Sequence, residues 1–75
     1  MGNVAAGFQS AEGSSKASAV RRLEQKVAAS GGRFTCDERQ ICVVEDRNGV
    51  RFRVHVTELH TFDGVPYYSA TTMLM

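Results

Sequence analysis

The chain has 75 residues, of which 43% are hydrophobic and 23% are charged, and its formal net charge is +1. That length accommodates one small domain, and the charge balance excludes the strong positive field that drives non-specific nucleic-acid binding. Two cysteines are too few for a disulfide scaffold, and no apolar run approaches the roughly 20 residues that cross a bilayer, so we expect a cytoplasmic protein without membrane contact.

The N-terminal residues 1–16 are rich in Gly, Ser and Ala. Their only sizeable apolar side chains are Val4 and Phe8. Such a segment buries too little apolar surface to offset the entropy lost on ordering. The sequence therefore predicts a flexible arm over residues 1–16 and a single α+β domain over residues 17–75. An alternative is a tail that folds onto a partner through Phe8.

Residues 17–30, "ASAVRRLEQKVAAS", have the pattern of one helix. Three apolar residues recur at three- and four-residue spacing: Val20, Leu23 and Val27. Ser15 or Ser18 can cap the N-terminus, and Gly31 suits the left-handed position that follows a helix. A helix this short does not hold alone in water, so its apolar stripe must pack on the rest of the chain.

The remaining sequence predicts a sheet. Four segments have strand character: "RFTC" (33–36), "ICVVED" (41–46), "VRFRVHVT" (50–57) and "YYSATTMLM" (67–75). Asn48-Gly49, between the second and third segments, is a strong hairpin signal. We therefore predict an α+β fold with one N-terminal helix packed on an antiparallel meander of three to four strands.

A two-residue turn at Asn48-Gly49 fixes a register. It sets Val44 opposite Arg53 and Cys42 opposite His55, and opposed residues share a face. The predicted core face carries Phe34, Cys36, Ile41, Val43, Phe52, Val54 and Val56. The predicted solvent face carries Cys42, Val44, Asp46, Arg51, Arg53, His55 and Thr57.

The cysteines and histidines are the candidate reactive groups. A five-residue loop between Cys36 and Cys42 would oppose them for a disulfide, but it would remove Ile41 from the core, so a four-residue loop is preferred. Structural zinc sites usually offer close ligand pairs, which the chain lacks, so no metal or other cofactor is expected. Cys42 opposite His55 pairs a thiol with an imidazole, but an open sheet face supplies no pocket for catalysis. We therefore expect no enzyme activity.

The basic stripe of the third strand is the candidate partner-binding site. It comprises Arg51, Arg53 and His55, with Arg47 beside the turn. We expect a small non-catalytic protein-interaction module that regulates or inhibits another protein. A solvated sheet face without a partner is the simpler interpretation of the same stripe.

Two further possibilities follow from other residues. A nucleic-acid-binding accessory protein would combine the stripe with the basic residues of the helix: Arg21, Arg22 and Lys26. Because the helix packs on the opposite face of the sheet, this alternative is less favoured. A homodimer would bury apolar residues near the C-terminus: Tyr67, Tyr68, Met73 and Leu74.

Overall fold

The computed structural model describes residues 9–75, which form one helix and five strands. In chain order these are β1 (Ser10–Gly13), α1 (Lys16–Ala29), β2 (Arg33–Cys36), β3 (Cys42–Glu45), β4 (Arg51–His60) and β5 (Pro66–Leu74). The strands form one antiparallel sheet in the order β1-β5-β4-β3-β2. The helix covers one side of this sheet, which confirms the predicted α+β class with one strand more than expected.

The additional strand, β1, lies inside the segment predicted to be a flexible arm. Ser10–Gly13 pairs with β5, with Ala11 opposite Ala70. The arm prediction is therefore wrong for this part of the chain, while residues 1–8 lie outside the described region. Ala11 and Gly13 carry almost no apolar bulk, which is why a hydrophobic pattern does not identify the strand.

The helix forms where the apolar spacing predicts it. Its N-cap is Ser15, whose hydroxyl accepts a hydrogen bond from the Ser18 N–H at 3.1 Å, and the Ser18 hydroxyl accepts one from the Ser15 N–H at 3.1 Å. After the C-cap, Gly31 adopts the left-handed φ of 85°. Leu23 and Val27 are fully buried, and Val20 packs half-buried beside them.

Small residues let the helix lie close to β1 and β5. Ala11 and Ala70 oppose each other in the sheet, and both are buried together with Ala19 of the helix. A Cβ at Gly13 would lie 2.6 Å from the Ala19 backbone nitrogen, so no larger residue fits there. At the end of β1, the Thr72 hydroxyl accepts a hydrogen bond from the Gln9 N–H at 2.8 Å.

The three hairpin loops share one geometry. In the β3–β4 loop, Asp46 and Val50 close the hairpin, and the Asp46 carboxylate accepts from the N–H groups of Asn48 and Val50. Residues 37–41 repeat this arrangement around the Asp37 carboxylate. Residues 61–65 repeat its backbone bonds, with the Thr61 hydroxyl accepting from the Val65 N–H. Each loop places its fourth residue at positive φ: Gln40, Gly49 and Gly64.

The β3–β4 loop is one residue longer than the two-residue turn predicted at Asn48-Gly49, and the predicted register of β3 against β4 is therefore wrong by one residue. Val44 lies opposite Phe52, whereas Arg53 lies opposite Val43. Since side chains alternate, the shift exchanges the two faces of β3 and leaves those of β4 unchanged. Val44 is 1% exposed in the core, and Ile41, which was expected there, is 47% exposed.

Paired substitutions in β3 test this register. Val44→Ala should lower the free energy of unfolding by about 2 kcal/mol, because it removes methyl groups from a filled core. Val43→Ala, on the other face of the same strand, should cost roughly 0.5 kcal/mol. Urea unfolding followed by circular dichroism measures both. A larger loss of unfolding free energy for Val43→Ala than for Val44→Ala would support the register of the two-residue turn instead.

The positive φ of Gln40 makes a second prediction. Gln40→Gly should raise the free energy of unfolding by about 1 kcal/mol, because a left-handed conformation strains an L-residue and not glycine. Arg39→Gly, one position earlier in the same loop, relieves no such strain and should not stabilise the chain. Thermal melts of the two variants measure the difference, and equal effects would contradict the loop geometry.

Candidate interaction surface

The face of the sheet opposite α1, here called the outer face, has no covering element within the described residues. Arg51, Arg53 and His55 lie on it at alternate positions of β4, and all three are exposed. Phe52 and Val54 between them point to the helix side and pack in the core. The stripe is thus held at fixed spacing by a strand whose other side is anchored.

The guanidinium groups of the stripe have no carboxylate at ion-pair distance. Within residues 9–75, the ion pair at 4.0 Å or less joins His60 to Glu58, which are not in the stripe. Glu45 lies between Arg33 and Arg51 in the cross-strand row and partly balances their charge. Arg53 instead has apolar neighbours, with Val43 on one side and Met73 on the other.

Beside the stripe the outer face carries a row of small hydroxyl side chains, while Leu59 and Tyr67 oppose each other further along it and Glu12 lies opposite Ser69. His55 lies opposite Thr71, and Thr57 lies opposite Ser69. The Ser69 and Thr71 hydroxyl oxygens are 3.4 Å apart. The outer face therefore offers cations at one end and neutral hydrogen-bonding groups beside them.

Arg47 does not join this stripe. It lies in the β3–β4 loop, next to the end of the helix, where its Cδ is 3.9 Å from the position a Cβ would take on Gly31. With Ala29, Ser30 and Asp46 it lines a shallow polar depression. The four predicted binding residues thus form two separate groups, with Arg51, Arg53 and His55 in one and Arg47 in the other.

The basic residues of the helix have a structural role at the edge of the sheet. Arg22 donates a hydrogen bond to the Glu12 carbonyl at 3.2 Å, and the Lys26 ammonium donates to the Ser10 carbonyl at 2.6 Å. These carbonyls belong to β1, an edge strand whose outward groups have no strand partner among the described residues. Both cations therefore lie at the β1 edge and on the helix side, away from the stripe.

Cys36 and Cys42 form a disulfide, so the four-residue loop preferred from the sequence is wrong. The two residues are opposed in the sheet with their Cα atoms 4.0 Å apart. The five-residue loop that was disfavoured is the one that forms, at the cost of exposing Ile41. Cys42 therefore lies in the core and not on the outer face, so the predicted pairing of its thiol with His55 does not exist.

The disulfide borders an open groove of about 580 Å³ between the helix and the sheet. Ala17, Val20 and Val56 give it an apolar lining, and Lys16 and Arg21 stand at its rim. Hydrophobic spacing predicts that Val20 and Val56 lie on facing elements, but it does not predict the groove, which Cys36 and Cys42 also line.

The described residues offer little reactive chemistry. Between Gln9 and Met75 there is no free cysteine, and no three His, Cys, Asp or Glu side chains cluster as metal ligands would. The helix of this region is also not long and apolar enough to cross a bilayer.

Comparison of the chain with family models, with curated proteins and with solved structures finds no match. The function is therefore inferred from the outer face, the groove and the sheet edges.

The disulfide makes a prediction of its own. It closes a loop of sequence separation 6, for which loop entropy gives a stabilisation of about 2 kcal/mol. Cys36→Ala removes the bond at an exposed position and should lower the free energy of unfolding by that amount. Dithiothreitol should have the same effect on the native chain and none on the variant. Alkylation of two free thiols in the untreated chain would contradict the pairing.

Proposed function

We propose that this protein is a small non-catalytic interaction module that binds another protein through Arg51, Arg53 and His55. The observation that carries the proposal is the state of the stripe. Three side chains are held in a row on an uncovered sheet face, and neither guanidinium has a carboxylate within 4.0 Å. A partner with acidic side chains at matching spacing would supply the missing charges.

Arg53 lies in the middle of the stripe, between Arg51 and His55, and is suited to contact a partner. A guanidinium is weakly hydrated and stacks well on flat or apolar groups, which suits interface positions. With Val43 and Met73 as its neighbours, it combines a cation with apolar contact area. Regulation or inhibition of the partner is the activity that fits such a module, since binding through the outer face would cover part of the partner's surface.

The nucleic-acid alternative is weaker. It requires the stripe and the helix cations to contact one phosphate backbone. Arg22 and Lys26 instead donate to β1 carbonyls, and the helix lies on the other side of the sheet. The net charge of +1 adds no long-range attraction for polyanions.

Two finer parts of the proposal concern location and assembly. The predicted location is the cytoplasm. The Cys36–Cys42 bond argues against it, because disulfides persist mainly in oxidising compartments. Fractionation of the source cell tests the location. Self-association as a homodimer is also proposed. Its predicted C-terminal surface is divided, since Tyr68 packs against the core while Met73 and Leu74 are exposed.

Reversing the charge of the stripe tests partner binding. The double variant Arg51→Glu, Arg53→Glu should lose the partner that the native chain retains in affinity capture. Its melting curve should change little, since exposed substitutions cost on the order of 0.5 kcal/mol each. Equal recovery of the same partner by the native chain and the variant would refute the assigned surface.

The matched control is the double variant Arg21→Glu, Arg39→Glu. It changes the net charge by the same amount at exposed positions away from the outer face. The control should keep the partner, which separates a local contact from a general charge effect. Fluorescence anisotropy with single- and double-stranded DNA and RNA probes at low salt tests the nucleic-acid alternative. Tight binding that weakens steeply with salt would favour a nucleic-acid partner.

A further inference from the structure

The exposed strand edges of the sheet differ in how they are protected from pairing with another strand. At β1, Arg22 and Lys26 occupy the outward carbonyls of Glu12 and Ser10. At the other edge, β2 has only four residues and ends at the disulfide. Capping by cations and short length are two ways in which proteins prevent pairing between exposed strands.

The part of β4 that extends beyond β3 forms a further exposed edge, and it has no such protection. β3 pairs with β4 only at 51–53, whereas β4 continues to His60 with β5 on its other side. Alternation of the ladder directs the N–H and C=O groups of Val56, Glu58 and His60 away from β5. Within residues 9–75, no strand pairs with this stretch, and it contains no proline or lysine.

The geometry points to this edge as the site where a second copy of the chain binds. In this arrangement the two β4 strands pair antiparallel across a two-fold axis at Leu59, which extends two five-stranded sheets into one. Glu58 of each copy then lies opposite His60 of the other, and Leu59 lies opposite its own equivalent. This inference names the surface for the self-association proposed above and does not depend on the stripe.

Among the symmetric registers of two paired β4 strands, the side chains brought opposite each other and the room beside the strand favour the axis at Leu59. Centring the pairing on Glu58 sets two carboxylates opposite each other, which is unfavourable, and centring it on His60 leaves each Glu58 without an imidazole opposite it. Centring it on Thr57 brings the second strand beside Val54 and His55. The β3–β4 ladder ends with Val43 opposite Arg53, and the next residues of the chain on that side, Cys42 and Ile41, would meet the second strand there. The Leu59 axis avoids both problems and sets each Glu58 carboxylate opposite a His60 imidazole, whose N–H can donate a hydrogen bond to it.

The neighbouring side chains support the same arrangement. Glu58 and His60 are about half-exposed, and the Glu58 Oε2 and His60 Nε2 atoms are 3.4 Å apart within one chain, so a second copy of the chain can approach both side chains. Phe62, fully exposed in the β4–β5 loop, lies three residues past the axis. It would reach Val56 of the other copy, beside the apolar groove. The pairing thus covers the most exposed aromatic ring of the described chain.

Sedimentation equilibrium of the full chain, over about 1 µM to 1 mM, tests the inference in a range that spans weak and moderate affinities. The native chain should show a monomer–dimer equilibrium. Glu58→Lys and His60→Glu should each raise the dissociation constant about tenfold, because each replaces two attractive contacts by repulsive ones. Combining the two substitutions restores opposite charges across the axis and should recover dimerisation.

A proline pair separates edge pairing from folding. Glu58→Pro removes an N–H that points away from β5, so the monomer should keep its circular dichroism spectrum while the dimer is lost. Thr57→Pro removes an N–H in the β4–β5 ladder and should destabilise the monomer itself. A native dimer that Glu58→Pro leaves intact would place the interface elsewhere. A native chain that stays monomeric would refute self-association altogether, and neither result affects partner binding by the stripe.

Discussion

The fold depends on how the chain turns at Asp46. Its carboxylate accepts two backbone N–H groups and makes the β3–β4 loop one residue longer than the shortest hairpin turn. That extra residue decides which side chains of β3 reach the helix. Asp37 does the same for β2 and β3, and its loop brings Cys36 opposite Cys42. Core composition, disulfide and groove therefore follow from two short side chains in solvent.

Periodicity was sufficient to predict the helix and the long strand. Leu23 and Val27 are spaced for a helical stripe, and the strict alternation of β4 places Arg53 outside and Phe52 inside whichever loop precedes the strand. Register was harder, because Asn48-Gly49 suits both a two-residue turn and the last two positions of a longer loop. The repeated pattern of Asp or Thr, two residues, then Gly and Val, at 46–50 and 61–65, is the signal that would have indicated the longer loop.

Other features lie beyond what patterns of this kind carry. β1 contributes Ala11 and Gly13, whose value to the core is their small size and not their hydrophobicity. The separation of Arg47 from the stripe depends on where the helix ends in space. The unprotected half of β4 arises because β3 is shorter than its neighbour, a difference that becomes visible only when the strands are aligned. Alternation thus predicted the faces of β4 correctly, whereas the faces of β3 and the boundary between paired and unpaired backbone depended on loop length and strand alignment.

The pairing of β1 with β5 also constrains how the chain folds as it is synthesised. Gln9 and Thr72 bond across 63 positions, so the first strand made must wait for the last. The hairpins from β2 to β4 have short loops and can close as soon as they emerge. The helix leaves the ribosome early with Leu23 and Val27 uncovered, and β5 must be complete before β1 and the helix are fixed in place. The apolar stripe of the helix therefore stays incompletely covered until β5 has been made and has paired with β4 and β1.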